Sequence, residues 1–405
     1  MGHASHDEGA AQRPTLDIAD IFRCHGEDAH ARFKFSPEQR LVMRHIIECR
    51  TAALGGHLER CSCCQFQRPA YNSCRDRHCP KCQATRQAQW LELRLERVLP
   101  VPHYHIVFTL PGLLRPLAKR LPRKVYETLF KAASQTLIEF GRDPQWLGAQ
   151  LGITAVLHTW TRDLRQHPHL HCIVTAGGLD KDAESWIRPK HAKILFPVHA
   201  LAKAFRGKVL DAIANLEMTE RQTANLVDDD VLQRLVDRLY RARWVVYAKR
   251  PFATTEHVFA YLGRYTHRVA ISNHRIIAID DHTVHFATKD GKTERLPVHE
   301  FIRRFLDHVL PNQFTKIRHY GLYASSNVHK RLEQARALLP KPTPSTPPAE
   351  VTPTAATSAQ AAPDAEPELL TRLFGPDFLR CPVCGKGNLV RVAILPALRS
   401  ARGPP

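Results

Sequence analysis

The sequence predicts an α+β protein: a central antiparallel sheet flanked by helices and preceded by a small zinc-binding domain. Two Cys-x-x-Cys pairs lie close together in the N-terminal part of the chain, the signature of a metal-held module. Beyond them, short apolar runs bounded by Pro and Gly read as strands. Longer stretches with apolar residues at i, i+3, i+4 and i+7 read as helices between and after those strands. At 405 residues the chain has room for two or three domains and a substantial core.

Lys and Arg total 58 against 39 acidic residues, a net charge of +19 with His neutral. Such a surplus favours a polyanionic partner, nucleic acid first. No run approaches the ~18 apolar residues of a spanning helix. The N-terminal MGHASHDEGAAQRP has no apolar signal region, and His6 stands where a myristoylation motif takes Ser or Thr. The expectation is a cytoplasmic, nucleoid-associated protein with no membrane partner. Eleven cysteines in that compartment point to metal binding rather than disulfides.

A helical stretch around Pro37–Arg50 carries Leu41, His45, Ile46 and Cys49 near one face. Cys61-Ser-Cys63-Cys64 and Cys74-Arg-Asp-Arg-His78-Cys79-Pro-Lys-Cys82 follow. The pairs Cys61/Cys64 and Cys79/Cys82 bracket fourteen residues, the spacing of a tetrahedral structural Zn2+ site. Cys74 and His78 either replace one pair or complete a second site with Cys63. Arg68, Arg75, Arg77, Lys81 and Arg86 make the module basic, and four protein ligands leave no open coordination position. DNA binding is therefore its expected task. The tail carries a further knuckle, Cys381-Pro-Val-Cys384, which lacks an obvious second pair and either borrows ligands elsewhere or is degenerate. The expected division is a zinc-binding, DNA-binding domain over 1–98, a catalytic domain over 99–338, a Pro/Ala-rich linker over 339–368 and a tail over 369–405.

An amphipathic helix over Ala84–Val98 ends at Pro100 and Pro102. His103–Leu110 reads as a strand, Arg123–Phe140 as a helix, and Ile153–Trp160 and Pro168–Thr175 as an antiparallel hairpin. Strand residues i and i+2 share a face, so His169 and His171 form a two-imidazole platform for a metal. Counting back across the hairpin sets His158 opposite His171 as a candidate third ligand. His103-Tyr-His105 has the same form; it is either a buried polar pair or lies on an adjacent strand near the same site. Helices follow over Ala200–Glu217 and Asp228–Tyr240, where Asp228-Asp-Asp230 suits a helix N-terminus. Arg243–Phe252 is a strand carrying Lys249. Arg275–Ile279 and His282–Thr288 are strands, Asp290-Gly291 a hairpin turn, and Val298–Val309 a helix. Lys316–Tyr323 interleaves cations and aromatics, a pattern that suits phosphates and stacked bases.

Tyr261-Leu-Gly-Arg264-Tyr265-Thr-His-Arg268 is read as a helix capped by Thr254 or Thr255. On a helix, i and i+4 side chains stand roughly 5–6 Å apart at Cβ, so both phenols point into one volume. A Tyr/Leu/Val stripe taken by itself fits core packing; activated tyrosine is also a nucleophile.

The combination resembles the rolling-circle transposases of bacterial insertion sequences, the two-tyrosine HUH type. The matching stretches are Tyr71–Gln83, His167–Val174, Tyr247–Phe252 followed by Tyr261–Tyr265, and Lys316–Leu322, so the resemblance covers about residues 35–335. It implies a HUH endonuclease-like sheet and metal-dependent cleavage and transfer of single DNA strands. His169 and His171 map onto the metal-binding pair, and Tyr261 and Tyr265 onto paired nucleophiles that form 5′-phosphotyrosine. Lys249 and Arg264 are candidate activating cations. The implied catalytic ion is Mg2+ or Mn2+, and the implied partners are single- and double-stranded DNA and transposon ends, with an oligomer left open. A replication initiator or relaxase would use the same chemistry. A zinc-dependent DNA-binding regulator would explain the charge and cysteines but leave the His and Tyr pairs idle.

Overall fold

The structure, a computed structural model, describes residues 16–83, 97–191, 193–252, 270–280, 282–288, 291–339 and 375–398. Helix α1 (Ile18–Phe33) starts where the Asp17 carboxylate accepts from the Ala19 N–H. Helix α2 (Pro37–Glu48) opens with a capping box: Ser36 and Gln39 each satisfy the other's backbone N–H, and Pro37 sits at the first turn. Strands β1 (Gly56–Cys61) and β2 (Gln67–Tyr71) form a hairpin. Then come β3 (His103–Thr109), α3 (Pro122–Arg142), β4 (Gly152–Trp160) and β5 (Gln166–Thr175). Helices α4 (Val198–Ala214) and α5 (Asp229–Arg241) lead to β6 (Val245–Phe252). Asp228 caps α5, accepting from the Asp230 and Val231 N–H groups. A meander of β7 (Ile276–Asp280), β8 (Thr283–Ala287) and β9 (Thr293–Pro297) runs into α6 (Val298–Leu306). Strand β10 (Ile317–Gly321), helix α7 (Arg331–Ala337) and strand β11 (Leu389–Leu395) complete the chain.

The central sheet has five antiparallel strands in the order β10-β4-β5-β3-β6. Alternation divides it sharply. Tyr104, Ile106 and Phe108, with Leu170, Cys172 and Val174 and with Ile153, Ala155 and Leu157, are all buried on one face. α3 and α4 cover that face, with Phe108 edge-on to Phe205 at 5.0 Å. Each such side chain contributes roughly 1.5–3 kcal/mol of burial free energy. The opposite face carries His105, Val107, Val156, His158, His169 and His171.

A second core crosses residue 98. Ile18, Ile21, Phe22, Val42 and Ile46 of α1 and α2 pack with Ile276, Val284, Phe286, Phe301 and Phe305, the last edge-on to Phe22 at 5.3 Å. The two short helices cannot enclose a core alone, and the β7–β9/α6 unit supplies the missing wall. Nor is the tail a unit of its own: β11 pairs antiparallel with β1, from Gly56↔Leu395 to Cys61↔Leu389. The expected helix over Ala84–Val98 lies outside the described residues up to 96, as do the Pro/Ala-rich stretch and the residues around Tyr261 and Tyr265.

Gly321 ends β10 at φ +60, and a Cβ there would collide with the Leu151 carbonyl oxygen, which accepts from the Leu322 N–H at 2.9 Å. Gly291 also has positive φ (+73) but faces open space. Gly321→Ala is therefore expected to destabilise by clearly more than ~1 kcal/mol, and Gly291→Ala by about that strain alone. Denaturant midpoints of the two variants, measured side by side, check the order.

Candidate metal centres and catalytic face

Three clusters of ligating side chains stand out among the described residues: Cys49/Cys74/Cys79/Cys82, Cys61/Cys64/Cys381/Cys384 and His158/His169/His171, each with its ligand atoms within 4.8 Å of one another. The expected single site of Cys61, Cys64, Cys79 and Cys82 is corrected: the two pairs belong to different clusters. The hairpin β1–β2 carries Cys61 and Cys64 towards β11, whereas the loop after β2 folds back onto the end of α2. There Cys49 and Cys74 meet Cys79 and Cys82. Cys74, held as an alternative ligand, stands in this group with its sulfur 3.7 Å from that of Cys82. The Cys74 N–H points at the Cys49 sulfur and the Asp76 N–H at the Cys74 sulfur, both at 3.5 Å, as in thiolate knuckles around zinc. Four thiols without an open position suit structural Zn2+.

His78 is not in the cluster. Its Nδ1 donates to Asp76 at 3.0 Å and its Nε2 accepts from the Leu310 N–H at 3.2 Å. Asp76 also takes His45 at 2.9 Å. Burial opposes ionisation of Asp76, but the His78 and His45 hydrogen bonds outweigh it and hold the carboxyl well below its usual range. Arg77 donates to the Phe314 and Pro311 carbonyls. The cysteine loop is thereby pinned to the segment leading into β10, beside Lys316.

The imidazole cluster lies on the face of the central sheet away from α3 and α4. The register sets His158 opposite His169, and Val156 opposite His171. The expected pairing of His158 with His171 is thus two residues out, because the turn is tighter than expected: the Thr161 N–H donates to the Arg165 carbonyl and β5 starts at Gln166, ahead of Pro168. The rings still converge: His158 lies 4.5 Å from His171 and 5.4 Å from His169, centroid to centroid. The His169 Nδ1–H donates to the His167 carbonyl at 2.7 Å, which leaves the Nε2 lone pair for a metal. His171 Nδ1 is 2.8 Å from His105 Nε2. Burial, with neighbouring imidazoles and the Lys316 and Lys249 charges, pushes His171 down to about 2; burial and Lys249 push His105 to about 3; burial pushes His169 to about 4. All three are neutral near pH 7, the form that ligates.

Sequence reasoning missed Cys49, which is isolated in sequence at the end of a helix. It left the Cys381/Cys384 pair without partners, although an unpaired knuckle at each end of the chain was the available signal. His105 and His103 part company. His105 joins the trio's hydrogen bonds, while the buried His103 accepts from the Tyr323 hydroxyl at 2.8 Å, away from it. Lys249 stands beside His105 in the sheet register. Lys316 stacks over Trp160 at 5.1 Å, and Trp160 in turn stacks on His158 at 4.9 Å. Burial first, then Arg77, lowers Lys316 to about 7. Tyr261, Arg264 and Tyr265 lie outside the described residues. Of the described residues flanking that stretch, Phe252 stacks against His105 at 6.4 Å, and Ala270 lines a pocket with Trp160, His308 and Lys316.

A basic α+β chain with thiol clusters and an imidazole trio is matched by two family models. Residues 152–331 match the one described as "Putative transposase", and residues 21–110 the one described as "Transposase zinc-binding domain". The class is that of transposases with an N-terminal zinc-binding domain. "Putative transposase y4qJ" of Sinorhizobium fredii is 41% identical over 402 residues, covering 96% of this chain and 97% of its own. "Transposase for insertion sequence element IS801" of Pseudomonas savastanoi is 28% identical over 315 residues, 74% of each chain. No solved structure matches. The chain belongs to this family of insertion-sequence transposases. No helix among the described residues is long and apolar enough to cross a membrane.

His308 packs behind the trio, with Nε2 donating to the Leu164 carbonyl at 3.1 Å and Nδ1 3.3 Å from the Thr159 hydroxyl. Burial pushes it down to about 4 from 6.5. Below pH 6.5 the unfolded chain takes up a proton that the folded one refuses. The stability from this group is therefore present above about 6.5 and lost as pH falls towards 4. His308→Gln is expected to flatten the fall of the unfolding midpoint between those pH values. Parallel profiles for variant and wild type would show that the site does not exclude the proton.

Proposed function

We propose that this protein cuts and rejoins single DNA strands at transposon ends, by rolling-circle chemistry on a HUH-type sheet. The observation that carries the reading is the convergence of His158, His169 and His171 on the sheet face away from α3 and α4, with Phe252, which precedes the segment bearing Tyr261 and Tyr265, stacked on His105. A divalent ion bound by His158, His169 and His171 would polarise the scissile phosphoryl oxygen. Imidazole nitrogens suit Mn2+ better than Mg2+, which prefers oxygen ligands.

The chain's own residues supply the rest. His169 is oriented by the His167 carbonyl and His171 by His105, so neither ring turns away from the shared volume. Lys249 and Lys316 bring positive charge to the phosphate's developing negative charge, with Arg264 as a further cation on the tyrosine stretch. The phenol oxygen of Tyr261 or Tyr265 forms a bond to phosphorus as the bond from phosphorus to the 3′ oxygen breaks. The phenol proton ends on that oxygen, leaving a free 3′-hydroxyl and a 5′-phosphotyrosine. One ester replaces another, so the step is reversible and a second 3′-hydroxyl rejoins the strand. The second tyrosine holds a second end in the same way. Single strands, the duplex that supplies them and the transposon ends are the corresponding DNA partners, drawn by the +19 charge.

Tyr247 lies half-exposed on the same face, across from Val107, whereas Tyr320 is paired with Ile153 on the helix-covered face. Tyr247→Phe is therefore the informative control. With Mn2+ and a labelled single strand, His171→Ala is expected to lose cleavage by at least ~100-fold while retaining salt-dependent binding. Tyr261→Phe/Tyr265→Phe should form no covalent adduct, and Tyr247→Phe a normal one. Adduct at full yield in the double variant, or mapped by mass spectrometry to Tyr247, rejects the assignment.

A further inference from the structure

We propose that Cys61, Cys64, Cys381 and Cys384 form a second tetrathiolate zinc site that clasps the C-terminal tail onto the N-terminal module. This inference stands independently of the chemistry at the imidazole trio. The site is built from the two ends of the chain. Cys61 and Cys384 sulfurs are 3.6 Å apart and Cys64 and Cys381 sulfurs 3.7 Å, across sequence separations of 323 and 317 residues. Only the first pair falls in residues 21–110, the stretch matched to the transposase zinc-binding domain.

The two halves have the same local build. Each Cys-x-x-Cys is followed by a residue with left-handed backbone, Gln65 at φ +64 and Gly385 at φ +63. Each knuckle aims backbone N–H groups at a sulfur: Cys63 N–H to Cys61 at 3.3 Å, and Gly387 N–H to Cys384 at 3.5 Å. Such donors stabilise thiolate, the ligating form. Gly387 is required by the close approach, since a Cβ there would fall 2.6 Å from the Cys61 sulfur. Cys63 is exposed and outside the cluster.

Among the described residues, the tail's other attachments are the β11–β1 pairing and a small apolar cluster. The apolar cluster at this junction consists of buried Cys61, Cys381 and Leu389, with Phe66 and Cys384 against it. Along β11 the side chains of Val390, Val392 and Ile394 are exposed, Ile394 at 83%. A single strand added to a sheet with so little burial does not offset the ordering of the tail, and four metal–sulfur bonds do.

The test uses the full chain. Elemental analysis of the purified protein is expected to give two zinc ions per chain, one in Cys384→Ser, and two in Cys63→Ser. Cys79→Ser, which touches the other cluster, should lose the other ion and retain this one. As a second measurement, a specific protease site inserted between residues 350 and 360 is cleaved. The tail fragment should co-elute with the body in the wild-type background and separate from it in Cys384→Ser. The Co2+-substituted protein should lose half of its thiolate-to-metal absorption in the same variant. One zinc per wild-type chain, two in Cys384→Ser, or a tail that stays bound in that variant would overturn the proposal. None of these readouts depends on DNA cleavage, so failure here and failure of the catalytic reading are separable.

Discussion

The antiparallel pairing of β3, β4 and β5 is the constraint on which the rest of the molecule depends. Alternation along each of these strands sends successive side chains to opposite faces of the sheet. The helix-covered face takes the aromatic and aliphatic side chains, and their burial fixes the register. The opposite face then has no freedom: His158, His169, His171 and His105 converge because their neighbours are locked in the core. A slip of one residue would bury the imidazoles and expose Phe108 and Leu170. Precision at the trio is thus a consequence of packing on the other side of the sheet.

The cysteine loop extends this logic. It is bolted to the sheet through Arg77 and His78 rather than set apart as a pendant module. His78 serves as a structural connector because both of its nitrogens are engaged, one by Asp76 and one by the Leu310 N–H. Loss of metal at Cys49, Cys74, Cys79 and Cys82 would free the very loop that holds the approach to Lys316. The thiol cluster has no open position for a substrate, yet through Arg77 and His78 it holds the segment that leads to Lys316.

Much of this was legible in the sequence. Local signals were strong where packing and chemistry agree: the hairpin of Gly152–Trp160 with Gln166–Thr175, the α3 stripe, the Asp228 cap and the His-x-His alternation. What escaped was long-range. Cys49 lies 25 residues from the Cys74 N–H that points at its sulfur, and Cys64 lies 317 from Cys381. Spacing rules treat knuckles as neighbours, so two adjacent pairs were joined into one site that the fold divides between two. The α1–α2 contact with α6 was equally invisible, because an amphipathic face specifies a need for burial and not the partner. The offset of His158 reflects where the turn closes, at Thr161–Arg165, which alternation cannot announce.

The donor sets divide the metals between the sites without further machinery. Thiolate clusters select zinc by softness and tetrahedral closure, and their sulfurs are shared in fours that leave no room for substrate. Three imidazoles on one sheet face would make a harder, weaker and incomplete shell, with positions left for oxygen ligands. The acid response follows the same division. Protons compete for imidazoles already pushed to about 2–4 only well below neutrality. At physiological pH, His169 and His171 are therefore neutral and present lone pairs rather than protons.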